Sequence, residues 1–196
     1  QIGWTTGYAP HSQFSVDVYY ADVEKLIQSV PTGGVYVDPI SGAKSNITQN
    51  QNVGDGYRYG VDLSIDHWVN DALTVGGNFS AIRSVVTNPT VPGFQLTGFP
   101  SLKGFVYANW LPIPSVTITP SLELANDNWT SKTISGVTTY FKTGSYALAN
   151  INAEYRVDAH LTVSGGVKNI FDQNYTPVWG YPAQGRNYYV AAKATF

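Results

Sequence analysis

Cysteine is missing from all 196 residues, and methionine with it. A chain without cysteine has no disulfide framework, no thiolate metal site and no cysteine nucleophile, and its redox compartment is left open. Charge is scarce too: Asp, Glu, Lys and Arg make up 12% of the chain, against about 25% in soluble domains. The formal net charge is -2, and no Lys/Arg cluster marks a face for nucleic acid. No apolar run approaches the ~18 residues of a membrane-spanning helix. A helical membrane protein is therefore excluded, and a β one is not. A chain that opens on Gln1 and holds no Met is expected to be an excerpt or a processed form. Its first residues show no basic and apolar leader of the secretory kind.

What the chain has in plenty is Tyr, Gly and Thr, arranged with a period of two. Phe14, Val16, Val18 and Tyr20 alternate with Ser15, Asp17 and Tyr19; Val61, Leu63 and Ile65 with Asp62, Ser64 and Asp66. The same rhythm returns around Leu73–Ala81, Val116–Leu124, Ala147–Val157, Leu161–Val167 and Val190–Phe196. Such segments are strands with one apolar and one polar face. The register of residues 98–111 is ambiguous, because Phe105 and Tyr107 compete with Val106, Ala108 and Trp110 for the apolar side. Trp68 is out of phase with Val61, Leu63 and Ile65, so its strand needs a bulge or Trp68 faces the polar side. Glu24–Ile27 carry no helix cap and are expected to continue the strand of Phe14.

The connections alternate in length. Tight turns are expected at 9–11, 69–71, 112–114 and 158–160, and long links at 31–55, 88–97, 127–139 and 172–185. Short turns at one end and long loops at the other describe an outer-membrane barrel. With a partial strand at residues 1–8, nine strands are expected. Tyr188 and Phe196 share one parity eight residues apart, about 26 Å along a strand and about 19 Å of height at a ~45° tilt, near the ~25 Å apolar band between aromatic girdles. Phe14, Trp68, Trp110 and Tyr155 lie near tight turns, where the lower girdle belongs.

The closing segment carries Val167-Lys168-Asn169-Ile170-Phe171-Asp172, then Tyr175, then Gly185-Arg186 and a last strand ending on Phe196. Upstream lie Asn52-Val53-Gly54 and Tyr59-Gly60-Val61-Asp62-Leu63. In these features the chain resembles the C-terminal part of TonB-dependent outer-membrane receptors, with Gln184 where that family often has Pro. The resemblance implies an all-β, antiparallel transmembrane β-barrel of 22 strands, of which residues 1–196 are the last nine. It implies a Gram-negative outer-membrane location, with outer-membrane lipid around the barrel. The implied N-terminal plug domain and remaining barrel strands are not in this sequence. Import would be driven by the TonB energy-coupling complex through that N-terminal part, and the ligand would be a ferric siderophore, with cobalamin or haem next. Phe196 would be the signal that the barrel-assembly machinery reads.

No catalytic constellation is present, so an enzyme is not expected. His11, His67 and His160 sit at or beside turns without partners at metal-ligand spacing. Ser164-Gly165-Gly166 lacks the nucleophile elbow; it and Gly76-Gly77 suit close packing inside strands. Asn126-Asp127-Asn128 and Asp55-Gly56 mark the starts of loops, with no calcium-ligand spacing. Neither a cofactor nor a metal is implied. Asp17, Asp62, Asp66, Glu123, Glu154, Arg156, Lys168 and Lys193 share the polar parity and are expected to face the lumen, since charge turned to lipid costs a few kcal/mol near the midplane. Substrate contact is expected from Tyr36, Trp129, Tyr140, Trp179 and Tyr181, aromatic residues of the long links. Two other readings remain open here: a passive outer-membrane pore or structural barrel, and a soluble all-β binding module.

Overall fold

The computed structural model describes residues 1–87, 89, 93–134 and 137–195. Its strands are β1 (Ile2–Ala9), β2 (Ser12–Val23), β3 (Ile27–Val37), β4 (Lys44–Asn52), β5 (Gly56–Asn70), β6 (Leu73–Val86), β7 (Leu102–Ile113), β8 (Val116–Ala125), β9 (Trp129–Ile134), β10 (Val137–Lys142), β11 (Tyr146–Arg156), β12 (Leu161–Lys168) and β13 (Asn187–Ala194). Nine of these form one antiparallel sheet in the order β1-β2-β5-β6-β7-β8-β11-β12-β13, the number that the alternation predicts. The other four are two hairpins, β3–β4 and β9–β10. In such a meander successive links fall at opposite ends of the sheet. The turns at Pro10–His11, Asp71–Ala72, Pro114–Ser115 and 157–160 share one end, and both hairpins, residues 93–101 and residues 169–186 share the other.

The hairpins correct the expectation of plain loops at 31–55 and 127–139. Lys44–Asn52 is exposed throughout and polar but for Ile47, so nothing alternates to announce a strand; backbone pairing with β3 makes it one. The expected continuation through Glu24–Ile27 also fails. β2 stops at Val23, Lys25 takes φ 57°, and Asp55 accepts its backbone N–H at 3.3 Å. One left-handed residue thus turns the chain out of the sheet before β3 begins.

Directly paired residues share a face, so the register sorts every side chain. One row of the apolar face runs Val16, Leu63, Phe79, Gly104, Leu124 and Ala147. A polar row runs Gln13, Asp66, Gly76, Tyr107, Ser121 and Asn150. The ambiguity at 98–111 is thereby resolved: Val106 and Trp110 are apolar-face residues, and Phe105 and Tyr107 lie on the polar side. Trp68 pairs with Thr74 in an unbroken ladder, and the shift comes only after it. It faces the polar side against His11, with ring centroids 5.8 Å apart, and leaves the set of lower-girdle candidates.

No second layer covers the sheet among the described residues. Among the described residues only Ala125 and Leu148 are buried apolar side chains, and Val190 is 84% exposed. A soluble sandwich would hide one face of this sheet. Here both faces are bare, the arrangement of a barrel wall whose apolar side meets hydrocarbon. Pro120 is placed unusually, in the interior strand β8, where a missing N–H normally bars proline. It pairs with Ile151 on the β11 side, whereas toward β7 the pairing is interrupted between Tyr107↔Ser121 and Trp110↔Ile118. Thr119 Oγ1 spans that gap by donating to Asn109 Oδ1 at 2.9 Å.

Candidate functional site

On the polar face, small residues let large ones lie across them. Tyr107 crosses Gly76 and donates its hydroxyl to Asp66. Tyr189 crosses Gly166 in the same way and donates to Asn152 Oδ1 at 2.8 Å. A Cβ on Gly76 would stand 2.6 Å from the Tyr107 ring, and one on Gly166 would stand 2.8 Å from the Tyr189 ring. Close packing accounts for both glycines. Ser80 donates to Asp62, and Lys103 pairs with Glu123 at 3.1 Å. The eight residues expected toward the lumen, Asp17, Asp62, Asp66, Glu123, Glu154, Arg156, Lys168 and Lys193, all fall on this face by register. A cavity of about 650 Å³ lies over its β7–β13 part, bordered by Tyr107, Glu123, Asn152, Lys168 and Tyr175.

At the long-loop end, residues 169–186 are tied down by the closing motif. Asn169 is 4% exposed and exchanges bonds with Gln173, Nδ2 donating to the carbonyl and Oδ1 accepting the N–H, each at 2.9 Å. Its own N–H reaches Asn150 Oδ1 at 2.9 Å. Asp172 accepts the Arg186 N–H at 2.7 Å and faces its guanidinium at 3.8 Å. The Asn-Ile-Phe-Asp and Gly-Arg elements are thus the two halves of one clasp that returns the chain to β13.

That clasp sets Trp179 beside the β9–β10 hairpin. Trp179 meets Phe141 edge-on at 5.3 Å, its N–H donates to Thr130 Oγ1 at 3.1 Å, and Lys132 Nζ stands 4.7 Å above its ring. On the same hairpin Lys142 lies 5.6 Å over Trp129 and pairs with Asp127 at 2.9 Å. The third segment, residues 93–101, docks here through Phe94 against Tyr140 at 5.9 Å and the Gly98 N–H on the Trp129 carbonyl. Residues 93–101 and the start and end of the hairpin, with the upper ends of β5 and β6, border an open cavity of about 880 Å³, with Phe94, Phe99, Trp129, Lys142 and Asn128 in its wall. Asn128 is 7% exposed; its Nδ2 donates to the Pro177 carbonyl at 3.3 Å, while Oδ1 has no partner among the described residues. Burial pushes the Tyr140 phenol above its ordinary value, so it remains a hydrogen-bond donor at neutral pH.

Of the five residues expected to touch substrate, Trp129 and Tyr140 share the hairpin face turned to residues 93–101, and Trp129 lines the cavity, whereas Trp179 packs on the opposite face against Phe141 and Thr130. Tyr181 is the 74% exposed end of a turn from Val178. Tyr36 is separate, on the β3–β4 hairpin. Phe94, Phe141, Lys132 and Lys142 were not singled out by sequence. Alternating Lys and aromatic residues from 129 to 142 are the signal that could have found them. Asn126-Asp127-Asn128 divides its work: Asn126 caps β7 by accepting the Leu102 N–H, and Asp127 holds Lys142. Phe196 lies outside the described residues.

A family profile described as "TonB dependent receptor-like, beta-barrel" matches residues 1–170. Among solved structures, the siderophore receptor PirA from Acinetobacter baumannii superimposes with a TM-score of 0.70 at 16% identity, over 96% of this chain and 30% of that one. A mutant of the ferric enterobactin receptor PfeA from Pseudomonas aeruginosa gives 0.70 at 17%, over 96% and 29%. The copper transporter OprC gives 0.71 at 14%, over 96% and 30%. At these identities the likeness is one of fold, and the chain spans under a third of the length of each structure.

Proposed function

Because the chain belongs to the TonB-dependent receptor β-barrel family, we propose that it is the C-terminal barrel segment of a receptor that imports a ferric siderophore. The segment is part of an outer-membrane barrel of a Gram-negative bacterium, in a family of transporters rather than enzymes. The observation that carries the ligand reading is the open cavity between residues 93–101 and the β9–β10 hairpin, edged by Phe94, Phe99, Trp129 and Lys142. Rings with nearby ammonium groups suit a bulky, anionic, partly aromatic iron chelate. The unpartnered Asn128 Oδ1 leaves one acceptor for such a ligand's donor. The two siderophore receptors of like fold agree with this class of ligand. The segment contains no Cys or Met, so it offers no thiolate or thioether for a bare soft metal.

In the same reading, the rest of the parent protein supplies the plug and the other strands, and with them the contact to the TonB complex. The polar face lines the lumen, where its carboxylates and lysines meet the plug or hydrate the path. Phe196 is the strand-end aromatic offered to the barrel-assembly machinery. The test is growth of a strain deleted for the parent gene on single iron sources. Loss of growth on one ferric siderophore, restored by the gene, supports the assignment. Normal growth on every ferric siderophore, with a defect on cobalamin or haem, overturns it.

A further inference from the structure

The apolar face is almost free of charge. Followed through the whole register, it carries Asp22 and Arg83 as its only Asp, Glu, Lys or Arg side chains. Both lie toward the long-loop end. Arg83 stands ten positions along β6 from Leu73, about 33 Å along the strand and about 23 Å of height at a ~45° tilt. Trp110 pairs with Leu73 and marks the lower edge of the apolar band. Arg83 shares its row with Tyr59 and Tyr20 at the upper edge. Tyr20, Tyr57 and Tyr59 stack in sequence with centroids 6.1 Å apart, as an aromatic girdle.

Arg83 is exposed and makes no ion pair among the described residues. Asp22 lies two strands over and one row higher, about 12 Å away by sheet spacing, and its carboxylate accepts the Tyr20 hydroxyl. Directly below Arg83 the sheet is hollowed. Gly104 has no side chain, Phe79 and Leu124 flank it in the same row, and with Leu102 and Ala147 they form a groove of about 460 Å³. Phe79, Leu102 and Leu124 are 41–45% exposed. Gly104 lies about 13 Å along the strands from Arg83.

We propose that this face holds one phosphorylated lipid of the outer leaflet, its phosphate on Arg83 and an acyl chain in the groove over Gly104. A lone cation at girdle height complements an anionic headgroup, the tyrosines suit the interface, and the hollow receives the chain beneath it. The inference rests on outer-membrane placement; Arg83 also borders the 880 Å³ cavity, so the readout is lipid binding and not uptake of the imported ligand.

The test uses the intact parent receptor, purified in mild detergent and titrated in native mass spectrometry with lipid A and with lipid A stripped of phosphate. The unmodified receptor is expected to prefer the phosphorylated lipid by about fivefold, the worth of one basic side chain near a membrane surface. Arg83→Gln abolishes that preference. Gly104→Leu fills the hollow and weakens both lipids alike, and Asp22→Asn leaves the preference intact or raises it. Folding of each variant is checked by gel mobility without heating. A folded Arg83→Gln receptor that retains the preference, or equal binding of both lipids by the unmodified receptor, leaves nonspecific boundary lipid only and overturns the proposal.

Discussion

Gly76→Ala adds one methyl group, and its effect is set by a neighbour that can itself be removed. The new Cβ would stand 2.6 Å from the Tyr107 ring and from Asp66 Oδ1. Both atoms are far ends of flexible side chains, so the ring swings aside and its bond to Asp66 is lost. A hydrogen bond to a charged group contributes about 1.5–3 kcal/mol. With some displaced ring packing added, Gly76→Ala should destabilise by about 2–4 kcal/mol. In a Tyr107→Ala background the ring is gone and Asp66, released from the hydroxyl, is free to rotate its Oδ1 away from the methyl, so the substitution should be neutral or stabilising by about 0.5–1 kcal/mol, the usual advantage of Ala over Gly within a strand. The sign reverses. Gly77→Ala is the control: its Cβ would meet the Phe105 carbonyl oxygen at 2.7 Å, a backbone atom that no side-chain truncation moves. Urea unfolding of the intact receptor, refolded in detergent and followed by unheated gel mobility, gives the four stabilities of the cycle. Additivity within about 0.5 kcal/mol would refute the idea that the ring crossing is what keeps position 76 glycine.

Three other outcomes follow from the loop end. Trp129→Ala removes an aromatic wall of the 880 Å³ cavity and the seat of Lys142, and should weaken binding of the proposed ferric ligand about tenfold by fluorescence titration while folded levels stay normal. Asp172→Ala loses the Arg186 N–H bond and leaves Ala at φ 53°, a loss of about 1–2 kcal/mol for this half-exposed group that should speed tryptic cleavage after Arg186; Asp172→Asn, which tolerates that φ, should behave nearly as the unmodified chain. At the tip of β3–β4, the N–H groups of Ser41 and Ile40 hold the Asp38 carboxyl below its ordinary 3.8. The folded tip therefore binds protons less readily than the unfolded one, and its stabilisation is complete above that value and lost as pH falls through the lower folded one. Ile40 and Ser41 amide shifts should titrate there and be flat in Asp38→Asn.

Period-two alternation made the nine sheet strands legible, because a bilayer sorts side chains by face and the sorting is written at every second residue. It failed where no such sorting acts. β4 has no apolar parity because it stands clear of the sheet, and β10, Val-Thr-Thr-Tyr-Phe-Lys, is held by its pairing with β9. Residues 98–111 were ambiguous because Phe105 and Tyr107 belong to the polar face, where tyrosine serves as a hydrogen-bonding arm across a glycine. The aromatic residues of the long links were visible one by one. The placement of Trp179 depends on the Asn169 and Asp172 clasp, whose partners lie 4–19 and 14 positions away. No local pattern encodes such a return.

The break at Pro120 bears on how the cylinder behaves mechanically. A wall stitched by amide bonds at every position resists flattening equally all round. Where one stitch is replaced by a hydroxyl contact between Thr119 and Asn109, the wall has a compliant seam running between β7 and β8. A squeeze on the bore would meet less resistance there than along a fully paired ladder such as β8–β11.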